Sequence, residues 1–409
     1  MENKKSRAKA IDNNVIALPP EAARRLGLSA GAHLDVVVRR GRVEILPDIH
    51  SLSRVYIEPT SRCNLTCRAC IQRTWSEPQG GMTPAVFNKL LTDLRHFPHL
   101  ESVMLGGFGE PTAHPDIIRM VSAIKETGIR VEMVSNGTLL DAKMADGLLD
   151  ARLDRLWISF DGADELNFER ARQGARFKEV VGNLRRLRDR LELGIAFVVS
   201  RANFADLKNL SRLAKKTGAA YISVSNIIPY SPEMERQMVC GQALTRNSMA
   251  QTSGRIEVDL PRIDLSESTR DTLWRLAGGN ETVSLMGTPL GARMDECRFI
   301  RERCSFVRWD GQVSPCMALL HSHATYFYGM ERRNKNHSFG NIMEQEFCDI
   351  WNAPDYVSFR EKVARFDFAP CHVCGGCGFS GDNSEDCGGN THPAVCGGCL
   401  WGQGIIQCP

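Results

Sequence analysis

The regular alternation of strand-like and helix-like segments between residues 52 and 226 constrains this chain most. Short β-type runs occur at Val55–Ile57, Ser102–Leu105, Arg130–Val134, Arg155–Phe160, Ile195–Val199 and Tyr221–Val224. Between them lie stretches with helical apolar spacing: Thr83–Leu94, Pro115–Thr127, Asp141–Leu149, Phe177–Arg190 and Phe204–Thr217. Thr83 is a helix-capping residue ahead of Pro84, and Gly128 closes the second helix. Strands that alternate with helices pair in parallel, because each helix carries the chain back across the sheet. The prediction is an α/β fold built on a parallel sheet. Side chains that do chemistry are then expected in loops at the C-terminal ends of the strands.

Composition narrows the class. The chain has 409 residues, 43% hydrophobic and 24% charged, with a formal net charge of +3. These are ordinary globular values, and this length predicts two or three domains. So small a net charge gives no electrostatic case for nucleic acid. No run approaches the ~20 apolar residues of a membrane helix, and Met1–Lys5 does not open an apolar signal sequence. A cytoplasmic protein is expected, with no membrane partner. The 15 cysteines are strongly clustered: three at 63–70, three at 297–316 and seven at 371–408, leaving Cys240 and Cys348 alone. In a chain with no export signal, such clusters point to metal rather than to disulfides.

Residues 1–48 form a separate small unit. Val15–Leu18 is strand-like, Pro19 and Pro20 precede a short helical pattern, and Leu34–Arg39 and Arg42–Leu46 read as a hairpin across Arg40–Gly41. This pattern resembles the AbrB-like swapped-hairpin domain, a β-rich module that is mainly a dimeric DNA binder. The resemblance implies a homodimer through residues 1–48. Lys4, Lys5, Arg7 and Lys9 suit a solvated tail or a partner-docking segment better than DNA binding. Residues 227–296 read as a bridging segment. Residues 297–409 are short in apolar volume after Cys371 and are expected to need metal to hold a fold.

Cys63-x3-Cys67-x2-Cys70 follows the first strand of the alternating region. Three thiolates on one loop hold three irons of a [4Fe–4S] cube and leave the fourth iron free to bind a small molecule. Zinc prefers closed four-ligand sites. This motif after the first strand resembles the radical S-adenosylmethionine (radical SAM) superfamily. The resemblance implies a partial (β/α)6 barrel over 52–226, with Cys63, Cys67 and Cys70 as catalytic cluster ligands and SAM on the open iron. It also implies cleavage of SAM to a 5′-deoxyadenosyl radical, with a reductant such as ferredoxin or flavodoxin. Gly106-Gly107-Phe108-Gly109-Glu110-Pro111 resembles the loop that holds the SAM amino group, assigning Gly106, Gly107, Gly109 and Glu110 to the cofactor. By the same likeness Asn136, Ser159 and Asp161 face its ribose and methionine, Arg172 its carboxylate, and Ser200 its ribose.

The region from Cys297 onward, including Gly311-x4-Cys316, resembles the SPASM extension. That likeness implies two auxiliary [4Fe–4S] clusters. Cys297, Cys304 and Cys316 would form a first group, completed from the tail. Cys371, Cys374, Cys377, Cys387, Cys396, Cys399 and Cys408 would supply the rest. The tail departs from the extension's usual spacing. Two closed cubes need eight thiolates and ten cysteines are present. A zinc ribbon using Cys374 or Cys377 with Cys396 and Cys399 is the alternative. His321 and His323 are candidate acid–base or substrate-contacting groups.

The strings Arg308–Cys316 and Cys396–Pro409, with the N-terminal unit, are similar to radical SAM maturases associated with tungsten-containing aldehyde ferredoxin oxidoreductases. That likeness implies action on a tungstopterin cofactor, or on a peptide site, of a tungsten-containing oxidoreductase. A peptide-modifying SPASM enzyme is the alternative within enzymes. An iron–sulfur redox-sensing DNA-binding regulator is the alternative outside them, though it leaves the Gly106–Pro111 loop unexplained.

Overall fold

The computed structural model describes residues 48–239 except 76, and 297–402 except 328, 367, 370–380 and 394–395. It also describes the short stretches 9–12, 15–20, 23, 35–39, 42–46, 257–260, 282–285, 288–289 and 405–406. The expectations for Lys4, Lys5, Arg7, Cys240, Cys371, Cys374, Cys377 and Cys408, and for the short helix after Pro20, lie outside the described residues.

Near the N-terminus, β1 (Lys9–Asp12) pairs antiparallel with β2 (Val15–Ala17), and β3 (Asp35–Arg39) with β4 (Arg42–Leu46). The second pair is the expected hairpin. The α/β region then runs β5 (Arg54–Ile57), α1 (Pro84–Leu94), β6 (Ser102–Leu105), α2 (Ile117–Glu126), β7 (Arg130–Ser135) and α3 (Ala142–Asp150). It continues through β8 (Arg155–Phe160), α4 (Glu165–Ala171), α5 (Phe177–Leu187), β9 (Glu192–Val199), α6 (Leu210–Thr217) and β10 (Tyr221–Asn226). Strands β5 to β10 lie side by side in chain order, all parallel. This is the predicted α/β sheet, with one helix, α4, that the apolar spacing did not show.

Local signals explain the helix ends. The Thr83 hydroxyl accepts from Val86 N–H, and Asp141 and Asp164 cap α3 and α4 in the same way. The predicted 204–217 helix begins as a 3-10 turn over Phe204–Asn209, and left-handed Gly218 ends α6.

The sheet also crosses the boundary expected at residue 297. After α7 (Pro232–Arg236) and the short strands β11 (Glu257–Leu260), β12 (Thr282–Leu285) and β13 (Thr288–Pro289) comes α8 (Arg298–Arg301). Then β14 (Cys304–Val307) pairs parallel with β5, and β15 (Val313–Ser314) pairs antiparallel with β14. The result is an open eight-stranded sheet in the order β10-β9-β8-β7-β6-β5-β14-β15.

The sheet's two faces are both buried, as parallel sheets require. One face packs Val55, Ile57, Val103, Leu105, Ile158 and Phe160 against the helices. The other turns Tyr56, Met104, Trp157 and Phe306 inward, where Leu400, Trp401 and Ile406 of the tail fill the space. Asn226 Nδ2 donates to Ile405 O at 2.8 Å and pins that plug to β10. A hairpin of β16 (His323–Phe327) and β17 (Met330–Asn334) follows. The later helices α9 (Phe347–Asn352) and α10 (Pro354–Arg365) clamp the outside. Arg360 is 1% exposed, lies over Trp351 at 3.7 Å, and donates to Ile49 O and Trp351 O. No helix among the described residues is long and apolar enough to cross a membrane.

Candidate active site

The loop after β5 carries Cys63, Cys67 and Cys70. Backbone bonds from Thr66 N–H to Gln173 O and from Arg68 N–H to Ala171 O lay it on the α4–α5 connection. Leu65 N–H donates to Cys63 Sγ at 3.5 Å and Gln72 N–H to Cys70 Sγ at 3.4 Å. Asn136 Nδ2 lies 3.9 Å from Cys63 Sγ. The three thiols share one electrostatic environment with Arg172. Burial pushes all three upward, Cys67 to about 11, and Arg172 pulls against this. Half-buried thiols beside a cation are strong candidates for metal binding, since metal charge is what makes them thiolates.

The strand ends bring the predicted polar residues to the same place. Glu110 is 2% exposed. Its Oε1 accepts from Thr112 N–H, Thr112 Oγ and Ser135 Oγ, and its Oε2 accepts from Asn136 N–H at 2.7 Å. Oε2 therefore keeps one lone pair for a further donor. Gly106 lies beside Val134 and Gly107 against Glu58. A Cβ on Gly109 would come within 2.1 Å of Thr60 O, so only glycine lets this loop close on the cysteine loop. Arg172 Nε is 3.0 Å from Asp161 Oδ2, yet no hydrogen bond is aligned there, and this buried N–H is left without an acceptor. A ligand carboxylate suits that orphan donor.

Asp161 and Ser200 line a cavity of about 500 Å³ beside the loop. Asn203, which the sequence did not single out, organises that wall. Its Oδ1 accepts from Ser200 N–H and Ser200 Oγ, and its Nδ2 donates to Asp161 O. Ser159 is half-buried on β8 and adds no side-chain hydrogen bond among the described residues.

His321 is placed differently from the expectation of an acid–base group. It is 1% exposed, with Nδ1 2.7 Å from Glu77 Oε2 and Nε2 2.8 Å from Glu58 Oε2. Trp75 packs on its ring at 4.3 Å. Burial disfavours its charge, but the two carboxylates outweigh burial and raise its pKa. Burial opposes ionisation of Glu77 too, yet His321 and Ser322 N–H hold that carboxyl down to about 2. Both ring nitrogens are committed, so His321 staples the C-terminal region to the cysteine loop. Glu58 and Glu77 are the residues that sequence reading missed; each flanks the cysteine motif. His323 is held neutral, first by burial, and its Nδ1 contacts His321 O at 2.9 Å.

A second group of thiols lies under the sheet. Cys297, Cys316, Cys396 and Cys399 line one enclosed apolar pocket with Phe299, Phe359 and other apolar side chains. Burial drives Cys297 up to about 12 and Cys316 and Cys396 well above the ordinary range, and their mutual repulsion adds to this. A Cβ on Gly397 would strike Ala369 O, so the Cys396–Cys399 turn packs there only as glycine. Cys304 sits on β14 beside Arg54; it does not line this pocket, though it is near enough to Cys297 for the two thiols to repel. Cys387 is exposed, and Cys348 lies apart on α9. Among the described residues, no three thiols of either group have sulfurs all within 4.8 Å of one another.

Comparison with known proteins gives matches at these two places. Residues 57–214 match the model of the Radical SAM superfamily, and residues 297–378 that of an iron–sulfur cluster-binding domain, SPASM. The chain is 29% identical over 371 residues to the tungsten-containing aldehyde ferredoxin oxidoreductase cofactor-modifying protein of Pyrococcus furiosus, covering 87% of this chain and 96% of that one. It is 25% identical to the PqqA peptide cyclase of Gluconobacter oxydans, over 78% and 81% of the two chains. Streptococcus suis SuiB, solved with S-adenosylmethionine, shares the fold at TM-score 0.50 and 16% identity, over 80% of this chain and 71% of that one.

Proposed function

This chain belongs to the radical SAM superfamily and carries a SPASM domain, and from that premise we propose that it is a maturase acting on a tungsten-containing oxidoreductase. Its cofactors are a SAM-binding [4Fe–4S] cluster, S-adenosylmethionine and auxiliary iron–sulfur clusters. When bound, the reduced SAM-binding cluster supplies the electron that splits the sulfonium of SAM into methionine and a 5′-deoxyadenosyl radical, which takes hydrogen from a C–H bond.

The chain's own residues then have definable tasks. Cys63, Cys67 and Cys70 hold three irons and leave one position open. Arg172, whose Nε–H makes no aligned hydrogen bond with its ion-pair partner Asp161, orients the SAM carboxylate. Glu110 Oε2 accepts from the SAM amino group, and the Asp161–Asn203–Ser200 wall faces the ribose. Gly106, Gly107, Gly109, Asn136 and Ser159 shape the remaining contact. Cys297, Cys316, Cys396 and Cys399 enclose one auxiliary cluster away from solvent. The observation that carries this reading is the convergence of the three thiols, Arg172 and Glu110 in one electrostatic cluster, with Asp161, the partner of Arg172, lining the adjoining cavity.

The tungsten oxidoreductase or its cofactor is the proposed target, on the likeness to the Pyrococcus furiosus protein. A ferredoxin or flavodoxin is the proposed reductant. A peptide substrate is the second reading, supported by the likeness to PqqA peptide cyclase. The test is anaerobic reconstitution with iron and sulfide, then dithionite and SAM, with chromatographic detection of 5′-deoxyadenosine. Parent protein should release it and Cys67→Ala should not, since two thiolates do not keep a three-ligand cube. No product from reconstituted parent protein would sink the reading. Stimulation of product by the tungsten oxidoreductase, rather than by a peptide, separates the two targets.

A further inference from the structure

The charges lining the 500 Å³ cavity do not balance. Two carboxylates reach it, Asp161 and Glu233. Both are already paired: Asp161 with Arg172 at 3.0 Å, and Glu233 with Arg236 at 3.2 Å. Three guanidiniums also line it, those of Arg68, Arg73 and Arg170. None of the three forms an ion pair with a carboxylate among the described residues. Arg73 has only long contacts to Thr66 O and Gln173 Oε1, at 3.5 and 3.4 Å. Some barrel arginines are matched, as where Arg130 and Arg155 share Glu192 and Arg176 holds Glu169. Others that form no ion pair among the described residues, such as Arg62, Arg152 and Arg212, lie outside the cavity lining, whereas three unpaired guanidiniums share this one cavity.

SAM does not answer that charge. It brings one carboxylate, which Arg172 suits, together with an ammonium and a sulfonium, so it adds positive charge on balance. A low-dielectric concave wall focuses the resulting field. The wall also holds a polar vacancy of opposite kind. Gln237 Oε1 is buried with no hydrogen-bond partner among the described residues, and Gln237 lines the same cavity. A buried acceptor of this sort seeks an N–H or O–H donor.

We infer that the cavity takes, beside SAM, a small-molecule substrate bearing a phosphate or diphosphate group on Arg68, Arg73 and Arg170, with a donor group on Gln237. Guanidinium forks match phosphate oxygens in pairs. This inference rests on reading the cavity as the place of radical chemistry.

The test uses anaerobically reconstituted full-length protein with saturating SAM, titrated calorimetrically with inorganic pyrophosphate. Saturable binding that weakens as salt rises is expected. Arg73 and Arg170 are exposed, so replacing them leaves the core intact. The double variant Arg73→Gln/Arg170→Gln should bind at least roughly tenfold more weakly. Arg176→Gln, which alters a paired arginine outside the cavity, should bind as the parent does. Absence of pyrophosphate binding, or equal affinity in the double variant, overturns the inference. Arginine-dependent binding of polyglutamate without binding of pyrophosphate also overturns it, in favour of an acidic peptide. The 5′-deoxyadenosine assay on parent protein is independent. Product without pyrophosphate binding removes this inference alone. Arginine-dependent pyrophosphate binding without product removes the radical reading and leaves an anion site.

Discussion

The two thiol groups of this chain are built in opposite ways. Cys63, Cys67 and Cys70 come from eight consecutive residues, stay partly accessible, and have Arg172, Asp161 and Glu110 around them, while their neighbours Arg68, Ala69 and Asp161 line a cavity. Cys297, Cys316, Cys396 and Cys399 come from distant segments and close on an apolar pocket. A three-thiol site with polar neighbours has room for a reacting molecule. A four-thiol site sealed by phenylalanines has none, and is suited to holding structure or passing electrons. Ligand number and the polarity of the surroundings, rather than the number of cysteines in the sequence, separate the two roles.

The largest effect should come from opening the closed group. Cys396→Ser/Cys399→Ser should lose about four irons per chain. It should also unfold more easily, because the Leu400–Ile406 plug under the sheet hangs on that turn. Cys304→Ser should keep its iron. Iron analysis with thermal melts checks this, and equal iron loss in Cys304→Ser would return Cys304 to the ligand set.

The staple between the two regions should rank next. His321→Ala leaves buried Glu58 without its hydrogen-bonded partner and Glu77 with only Arg308, 3.7 Å away, and should cost about 3–5 kcal/mol. The pH dependence has a defined sign. The His321 contribution is complete below its unfolded value of 6.5 and is lost as pH rises through its raised folded value. The Glu77 contribution is complete above 4.5 and is lost as pH falls through about 2. Denaturant unfolding of the parent should thus be most resistant between these limits, and His321→Ala should flatten the alkaline side. An unchanged alkaline limb in His321→Ala would remove the staple.

The smallest effect should fall on the open site. Arg172→Gln should weaken SAM binding by roughly 10–100-fold, the range for one lost charge-assisted contact, while leaving auxiliary iron in place. Equilibrium dialysis with labelled SAM measures it. Parent-like affinity would assign Arg172 to holding Asp161 alone.

Much of this architecture was legible in one dimension. Strand positions from Val55 to Val224 followed from the strand-like runs, and Thr83 and Gly128 bounded helices as their chemistry requires. Arg172 and Glu110 were placed by motif likeness, and the structure brings both to the cysteine loop. The buried acids were not legible. Glu58 and Glu77 look like ordinary acidic residues until His321, 263 and 244 residues away, closes on them. Asn203 was hidden for the same reason, since its partners Ser200 and Asp161 meet only across strand ends.

Local pattern determined the parallel α/β framework and the three-cysteine loop, because both depend on spacings of a few residues that backbone geometry converts directly into shape. Tertiary structure alone decided which distant cysteines share a pocket, that β14 extends the barrel sheet, and that His321 bridges Glu58 and Glu77. Those outcomes depend on burial and on partners far apart in the chain, which no short-range spacing encodes.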